Sequence, residues 1–154
     1  MPKTSAGILP YRRRDGQLEV LLVHPGGPFW KNKDLGAWSI AKGEYEEDED
    51  PLQAALREFF EETGHRATGP LLPLTRRKQP SGKLVDAWAV ESNWDASGLV
   101  SNTFTLEWPK GSGRMQEFPE VDRAEWFEIS EATRRIRPAQ IGFLDELLEK
   151  LKRG

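Results

Sequence analysis

The segment from Asp50 to Gly64 constrains the fold of this chain most, because its sequence predicts both ends of one α-helix. Asp50 is a favourable N-cap, Pro51 suits the first helical position, and a glycine such as Gly64 commonly ends a helix. On a wheel of 3.6 residues per turn, one side of the helix Pro51–Thr63 is mainly apolar and another side is acidic. The segment therefore predicts an amphipathic helix that packs on a core and presents a charged face.

The acidic face carries Glu58, Glu61 and Glu62, whose i, i+3, i+4 spacing makes their side chains neighbours. Two carboxylates about 5.5 Å apart repel each other by roughly 3 kcal/mol at an effective dielectric of 20. On a fully solvated face the repulsion falls to a few tenths of a kcal/mol per pair. The cluster is therefore either a solvated surface or a site for a compensating cation, and oxygen ligands of this kind suit Mg²⁺ or the chemically similar Mn²⁺.

Residues on both sides of the helix extend the pattern. Gly43 stands 15 positions before Glu58, Glu49 precedes the helix, and Arg57 stands directly before Glu58. Residues 43–65 thus resemble the Nudix box, the signature of the Nudix hydrolases, and every charged and glycine position of that box is filled. Three residues depart from the family's usual preferences at positions that bind no metal: Ala41, Asp48 and His65.

The resemblance implies a fold and a metal site. The fold is an α/β/α sandwich with a mixed central sheet, formed by a single domain over residues 1–154. The implied cofactor is Mg²⁺ or Mn²⁺, and Arg57 paired with Glu49 is expected to orient the ligands rather than bind metal. The predicted metal ligands are the backbone carbonyl of Gly43 and the carboxylates of Glu58, Glu61, Glu62 and, further along the chain, Glu120.

The resemblance also implies a reaction, the hydrolysis of a nucleoside diphosphate linked to another moiety. Water attacks phosphorus in line, while metal ions lower the pKa of that water and neutralise the bridging oxygens. The predicted catalytic residues are Glu58, Arg57 and Glu61. Glu58 is the first candidate to accept the proton, and Glu117 and Glu120 are the alternatives.

The expected substrate is a small nucleotide. Lys42 is best placed in sequence to bind phosphate, and Lys78 is a weaker candidate. Trp30 and Trp38 lie near the box and are predicted to stack on a base. Residues 38–43 resemble the dinucleoside polyphosphate branch of the family, which acts on compounds such as diadenosine tetraphosphate; a nucleotide-sugar or capped-RNA substrate stays open.

Composition excludes several other classes. The chain has no cysteine, which excludes disulfides, zinc–thiolate sites and cysteine nucleophiles. It has only two histidines, which makes a Ser–His–Asp triad a poor candidate. Its net charge of −3 argues against broad nucleic-acid binding. Residues 1–6 lack an apolar signal core and no run reaches membrane-spanning length, so a cytoplasmic location without membrane partners is expected.

A Nudix-fold binding or sensor module without catalysis is the alternative function.

Hairpins and two further helices complete the predicted elements. The strands are predicted at residues 5–12, 18–24, 37–41, 71–79, 83–91, 103–108, 114–118 and 124–129. Ser130 is predicted to cap a short helix that ends near Arg137, and the last helix is predicted from Pro138 to Lys152. An apolar stripe on the last helix is predicted to pack on the sheet, with a dimer seam as the alternative, so a monomer or homodimer is expected. The stripe consists of Ile141, Leu144, Leu148 and Leu151.

Overall fold

A computed structural model describes residues 3–153, and within that range the chain forms eight strands and three α-helices. The strands are β1 (Thr4–Arg14), β2 (Gln17–Pro25), β3 (Ala41–Glu44), β4 (Leu71–Lys78), β5 (Leu84–Glu91), β6 (Thr103–Glu107), β7 (Met115–Pro119) and β8 (Val121–Glu128). The helices are α1 (Pro51–Thr63), α2 (Ile129–Arg135) and α3 (Ile141–Arg153), and 3₁₀ turns cover Ala96–Gly98 and Pro138–Gln140.

A mixed sheet in the order β4-β5-β1-β2-β8 forms the centre of the molecule, and β6 and β7 form a separate hairpin. β1 runs parallel to β5 on one side. Its other side is shared, because its first half pairs with β3 and its second half pairs with β2. β2 and β3 therefore diverge beside β1, and the pairs Ala6–Gly43 and Gly7–Lys42 place the start of the box at this divergence.

The two faces of the sheet bury separate cores. Successive residues of a strand point to opposite faces, so Leu22 belongs to the core beneath α3 while its neighbour Leu21 belongs to the core beneath α1. Phe143 of α3 fills the first core and Phe59 of α1 fills the second, and both are almost completely buried. The fold is the expected α/β/α sandwich with a mixed sheet.

The strands predicted at residues 5–12 and 18–24, at 71–79 and 83–91, and at 103–108 and 114–118 form three hairpins, as expected. The strand predicted at residues 37–41 is wrong. The strand in this region is β3, which begins at Ala41. Trp38 bridges in parallel to Ile136, whereas the next residue, Ser39, bridges antiparallel to Val23. The segment before β3 changes partner at successive residues and so builds no continuous ladder.

The last helix packs on the chain's own sheet, as predicted. Leu144 is fully buried, and Ile141 and Leu151 pack on the same core. The regular helix begins at Ile141 because Pro138–Gln140 forms a 3₁₀ turn, and α2 begins without the side-chain cap predicted from Ser130. None of the helices within residues 3–153 has the length and apolar character needed to span a bilayer.

Candidate active site

Local signals fix both ends of α1 and thereby its acidic face. The carboxylate of Asp50 accepts a hydrogen bond of 3.0 Å from the backbone N–H of Gln53, as an N-cap should. Gly64 takes a left-handed conformation with φ of 78°, and its N–H donates to the carbonyl of Phe60 at 2.7 Å. Burial of Phe59 turns one side of the helix to the core, which sets the orientation of the acidic side.

Gly43 and Glu58 meet where β3 passes α1. The side chain of Glu58 is only 14 % exposed, and its carboxyl group lies against the backbone of Gly43. A Cβ at position 43 would fall on the carboxyl atoms of Glu58, so only glycine permits this approach. The fold thus brings together two residues that are 15 positions apart in sequence.

Gly43→Ala is expected to reduce the hydrolytic activity that the resemblance implies about 100-fold or more, since displacing a reacting group by 1 Å can cost that factor. Gly98→Ala is the matched control, because the nearest atom to its added Cβ is the Trp94 Nε1 at 3.7 Å, an ordinary contact. Steady-state kinetics on both variants would measure the effect. Equal activities of the two variants would show that the close contact of Gly43 with Glu58 has no functional role.

Arg57 lies among the acidic side chains and connects them. Its guanidinium is 3.1 Å from a Glu49 oxygen, 3.1 Å from Glu58 and 3.6 Å from Glu61. The predicted pair of Arg57 with Glu49 is present, and it ties the loop before α1 to the helix. Ion pairs this exposed contribute about 0–1 kcal/mol, so their consequence is the position of the carboxylates rather than stability.

Glu62 is the most perturbed acid of the site. Its burial and, second, the charge of Glu58 raise the pKa of Glu62 to about 8, although the nearby ammonium of Lys42 acts in the opposite direction. Glu120 adds a further negative charge. A carboxyl group with so high a pKa is typical of functional sites. A cation beside it would stabilise its ionised form.

The charge and the oxygen chemistry of Glu58, Glu61 and Glu62 suit a divalent cation, but their side chains are not arranged around one point. Within the described residues, no three His, Asp or Glu side chains converge into a ready metal site. Burial and the charge of Glu61 nevertheless raise the pKa of Glu58, even with Arg57 beside it. A cation that prefers oxygen ligands would relieve this repulsion, and its binding would draw the acidic side chains closer together than they are here.

A cleft of about 150 Å³ opens beside Glu62 at the divergence of β2 and β3. Lys42, Glu120 and Arg137 also line it. Burial and the charge of Arg137 lower the pKa of Lys42, so the two cations lie close enough to repel each other. The cleft thus combines acids and cations, as a site for a metal ion and a phosphate requires.

Of the predicted site residues, only Lys42, Glu62 and Glu120 line this cleft, whereas Gly43, Arg57, Glu58 and Glu61 do not line it and Trp30 lines a different cleft. The remaining three, Trp38, Lys78 and Glu117, have other surroundings. Trp38 is fully buried and its indole N–H donates to Asp34 at 2.8 Å, so the prediction that Trp38 stacks on a base is wrong. Lys78 lies exposed at the end of β4 and is not among the residues that line the cleft. Glu117, the alternative proton acceptor, accepts a hydrogen bond from the hydroxyl of Thr103 on the separate β6–β7 hairpin.

Arg137 is the residue of this site that the sequence analysis missed. Its backbone N–H donates to the carbonyl of Trp38 at 2.8 Å, which anchors it beside the cleft. Its guanidinium carbon lies 4.8 Å from the centroid of the Trp30 ring. No sequence pattern connects position 137 with Lys42, because only the fold brings the segment after α2 next to β3.

The sandwich, with an acidic helix and a cleft at the divergence of two strands, defines the class of fold. The NUDIX domain family model matches residues 1–147, and the chain belongs to this family.

Among its relatives is an RNA pyrophosphohydrolase of Bartonella henselae, 36% identical over 70 residues, which are 38% of this chain and 39% of that protein. An RNA pyrophosphohydrolase of Bartonella tribocorum is 25% identical over 147 residues, covering 79% and 78% of the two chains. The chain therefore spans about two fifths of the first relative and about four fifths of the second. A solved structure of a C. elegans Ap4A hydrolase binary complex is similar in fold, with a TM-score of 0.67, 22% identity and coverage of 97% and 99%.

Proposed function

We propose that this protein is a divalent-metal-dependent pyrophosphohydrolase that cleaves a phosphoanhydride bond in a nucleoside diphosphate linked to another moiety. The observation that carries the proposal is Glu62, whose pKa is raised to about 8 by burial and by Glu58, at the edge of a cleft that Lys42 also lines. Membership of the NUDIX family and the likeness to RNA pyrophosphohydrolases support the same reaction class.

The metal would be Mg²⁺ or Mn²⁺, held by the carbonyl of Gly43 and by Glu58, Glu61 and Glu62, with Glu120 at the rim of the cleft. The ion supplies charge neutralisation for the phosphate oxygens and lowers the pKa of the attacking water. The proximity of Gly43 to Glu58 and the mutual repulsion of the acids support this ligand set.

The chain's own residues would move the proton and bind the phosphate. The water oxygen forms a bond to phosphorus while the bond from phosphorus to the bridging oxygen breaks, and the water proton passes to the carboxylate of Glu58. The leaving group departs with the bonding electrons on its bridging phosphate oxygen, whose negative charge Lys42 stabilises from the wall of the cleft. Arg57 keeps Glu58 and Glu61 oriented through its ion pairs.

The first candidate substrate is a dinucleoside polyphosphate such as diadenosine tetraphosphate. Residues 38–43, which lead into the box, resemble the dinucleoside polyphosphate branch of the family and support this choice. The fold shared with the C. elegans Ap4A hydrolase also supports it. The 5′-phosphorylated end of an RNA is the second candidate, and the likeness to two RNA pyrophosphohydrolases supports it. Both substrates contain the same anhydride linkage next to a nucleoside.

A panel of nucleotides tests the proposal. The purified protein is expected to hydrolyse diadenosine tetraphosphate, a nucleotide sugar or a triphosphorylated RNA oligonucleotide with Mg²⁺ or Mn²⁺ and to lose this activity in EDTA. Chromatography of the products identifies the bond that is cleaved. Binding of these nucleotides without hydrolysis under any metal condition would overturn the proposal and favour a NUDIX-fold sensor module.

A further inference from the structure

A second cleft adjoins the first, and Arg137 lines both. Its volume of about 410 Å³ falls in the usual range of roughly 300–1,000 Å³ for small-molecule sites, whereas the cleft beside Glu62 measures about 150 Å³. The small cleft beside Glu62 is therefore charged, and the larger cleft next to it is mainly apolar. The larger cleft is lined by Trp30, Gln79, Pro80, Ser81 and Pro138 in addition to Arg137.

Arg137 has an unusual environment for an arginine. Its Nε is buried without a hydrogen-bond partner, and no ion pair with an acid is found for it within residues 3–153. The half-buried guanidinium instead lies over the ring of Trp30. A cation that has lost water without gaining an anion is costly, so an anionic ligand in either cleft would bind it favourably.

Two cationic side chains lie over the large apolar ring of Trp30. The Nζ of Lys33 lies 5.2 Å from the ring centroid, and the guanidinium of Arg137 lies 4.8 Å from it. The cleft around the ring thus complements a ligand that joins a flat aromatic group to phosphates. Gln79 and Ser81 add a side-chain amide and a hydroxyl that can pair with the edge of such a group.

We propose that the larger cleft binds the nucleobase of the substrate against Trp30, where the base takes the place of the Arg137 guanidinium, and that this guanidinium turns to bind the phosphate between the base and the cleaved anhydride. The proposal rests on the proposed function, because it assigns the two parts of one nucleotide to the two adjoining clefts. It makes Trp30 and Arg137 binding residues of different kinds. Trp30 recognises only ligands that contain a base, whereas Arg137 recognises any ligand that contains the phosphates.

Two non-hydrolysable ligands separate these roles. α,β-Methylene-ADP contains a base and methylenediphosphonate does not, and calorimetry with Mg²⁺ measures both affinities. Trp30→Ala is expected to weaken binding of the nucleotide about 10- to 100-fold, as loss of one base stack does, and to leave binding of the diphosphonate unchanged. Arg137→Gln is expected to weaken both ligands about tenfold or more.

Phe29→Ala is the matched control, because Phe29 belongs to the same loop, is 61% exposed and packs on Trp108 instead. It should leave both affinities unchanged. Trp30→Phe keeps an aromatic face and is expected to restore most of the nucleotide affinity, which separates stacking from loss of the loop's structure.

The proposal is overturned if Trp30→Ala weakens both ligands equally, if it leaves the nucleotide unaffected, or if wild-type protein binds neither ligand. Because these measurements involve no turnover, the proposed hydrolysis is judged separately by the nucleotide panel.

Discussion

Glu62→Gln is expected to lower kcat/KM about 1,000-fold or more while leaving the protein as stable as wild type, or more stable, at pH 8 without metal. Glutamine keeps the shape of the side chain but lacks the charge that binds a cation. Metal stabilisation of a transition state is worth several kcal/mol, and each 1.36 kcal/mol is a factor of ten in rate. Stability should not fall, since the substitution removes a partly buried carboxyl group whose ionised form is disfavoured.

Kinetics and thermal unfolding of Glu62→Gln should be measured beside Glu47→Gln. Glu47 is exposed in the acidic segment before α1, so the same chemical change there is expected to alter neither quantity. Retention of more than a tenth of the wild-type activity by Glu62→Gln would contradict a ligand role for Glu62. A parallel loss of stability and activity would instead identify a structural role.

The metal-free protein is expected to become less stable as pH rises from about 5 to 8. Burial and Glu58 raise the folded-state pKa of Glu62 to about 8, while the unfolded chain has the ordinary glutamate value of about 4.5. Between these values the unfolded chain has lost the proton that the folded state retains, so stability falls with pH. The effect is on the order of 3 kcal/mol across this window, and the raised pKa of the half-buried Glu58 acts in the same direction.

Thermal unfolding in EDTA between pH 5 and 8 measures this dependence. In the difference between wild type and Glu62→Gln, contributions from other groups largely cancel, and the variant should show the weaker dependence on pH. Saturating Mg²⁺ should flatten or reverse the wild-type slope, because the ion binds the ionised form and its binding releases a proton. An identical slope for both proteins, with and without Mg²⁺, would contradict the assignment.

The parts of the site that sequence predicts well are those that local chemistry determines. The caps at Asp50 and Gly64 depend on residues within one turn of the helix, and both are found as expected. The resemblance to the box assigns Gly43 and Glu58 to one metal site, and the structure places the two in contact; a glycine is required there because the carboxyl group occupies the space of a side chain. Arg57 was expected beside Glu49, and it also contacts Glu58 and Glu61.

The parts that sequence does not predict depend on contacts between distant segments. Trp30 and Trp38 are both tryptophans near the box, yet only the packed fold shows that Trp38 is fully buried and Trp30 lines a cleft. Arg137 enters the site because the bridge of Trp38 with Ile136 brings the end of α2 next to β3. A single bridge between two distant residues produces no repeating pattern in the sequence of either segment, so the sequence alone does not predict it.

The most direct test of the account is the binding of Mn²⁺, followed through the electron paramagnetic resonance signal of the free ion. Wild-type protein is expected to bind Mn²⁺, and the double variant Glu58→Gln/Glu62→Gln is expected to bind it at least about 100-fold more weakly, while Glu47→Gln binds it as wild type does. Equal Mn²⁺ affinity in wild type and the double variant would contradict the claim that these helix carboxylates hold the cation.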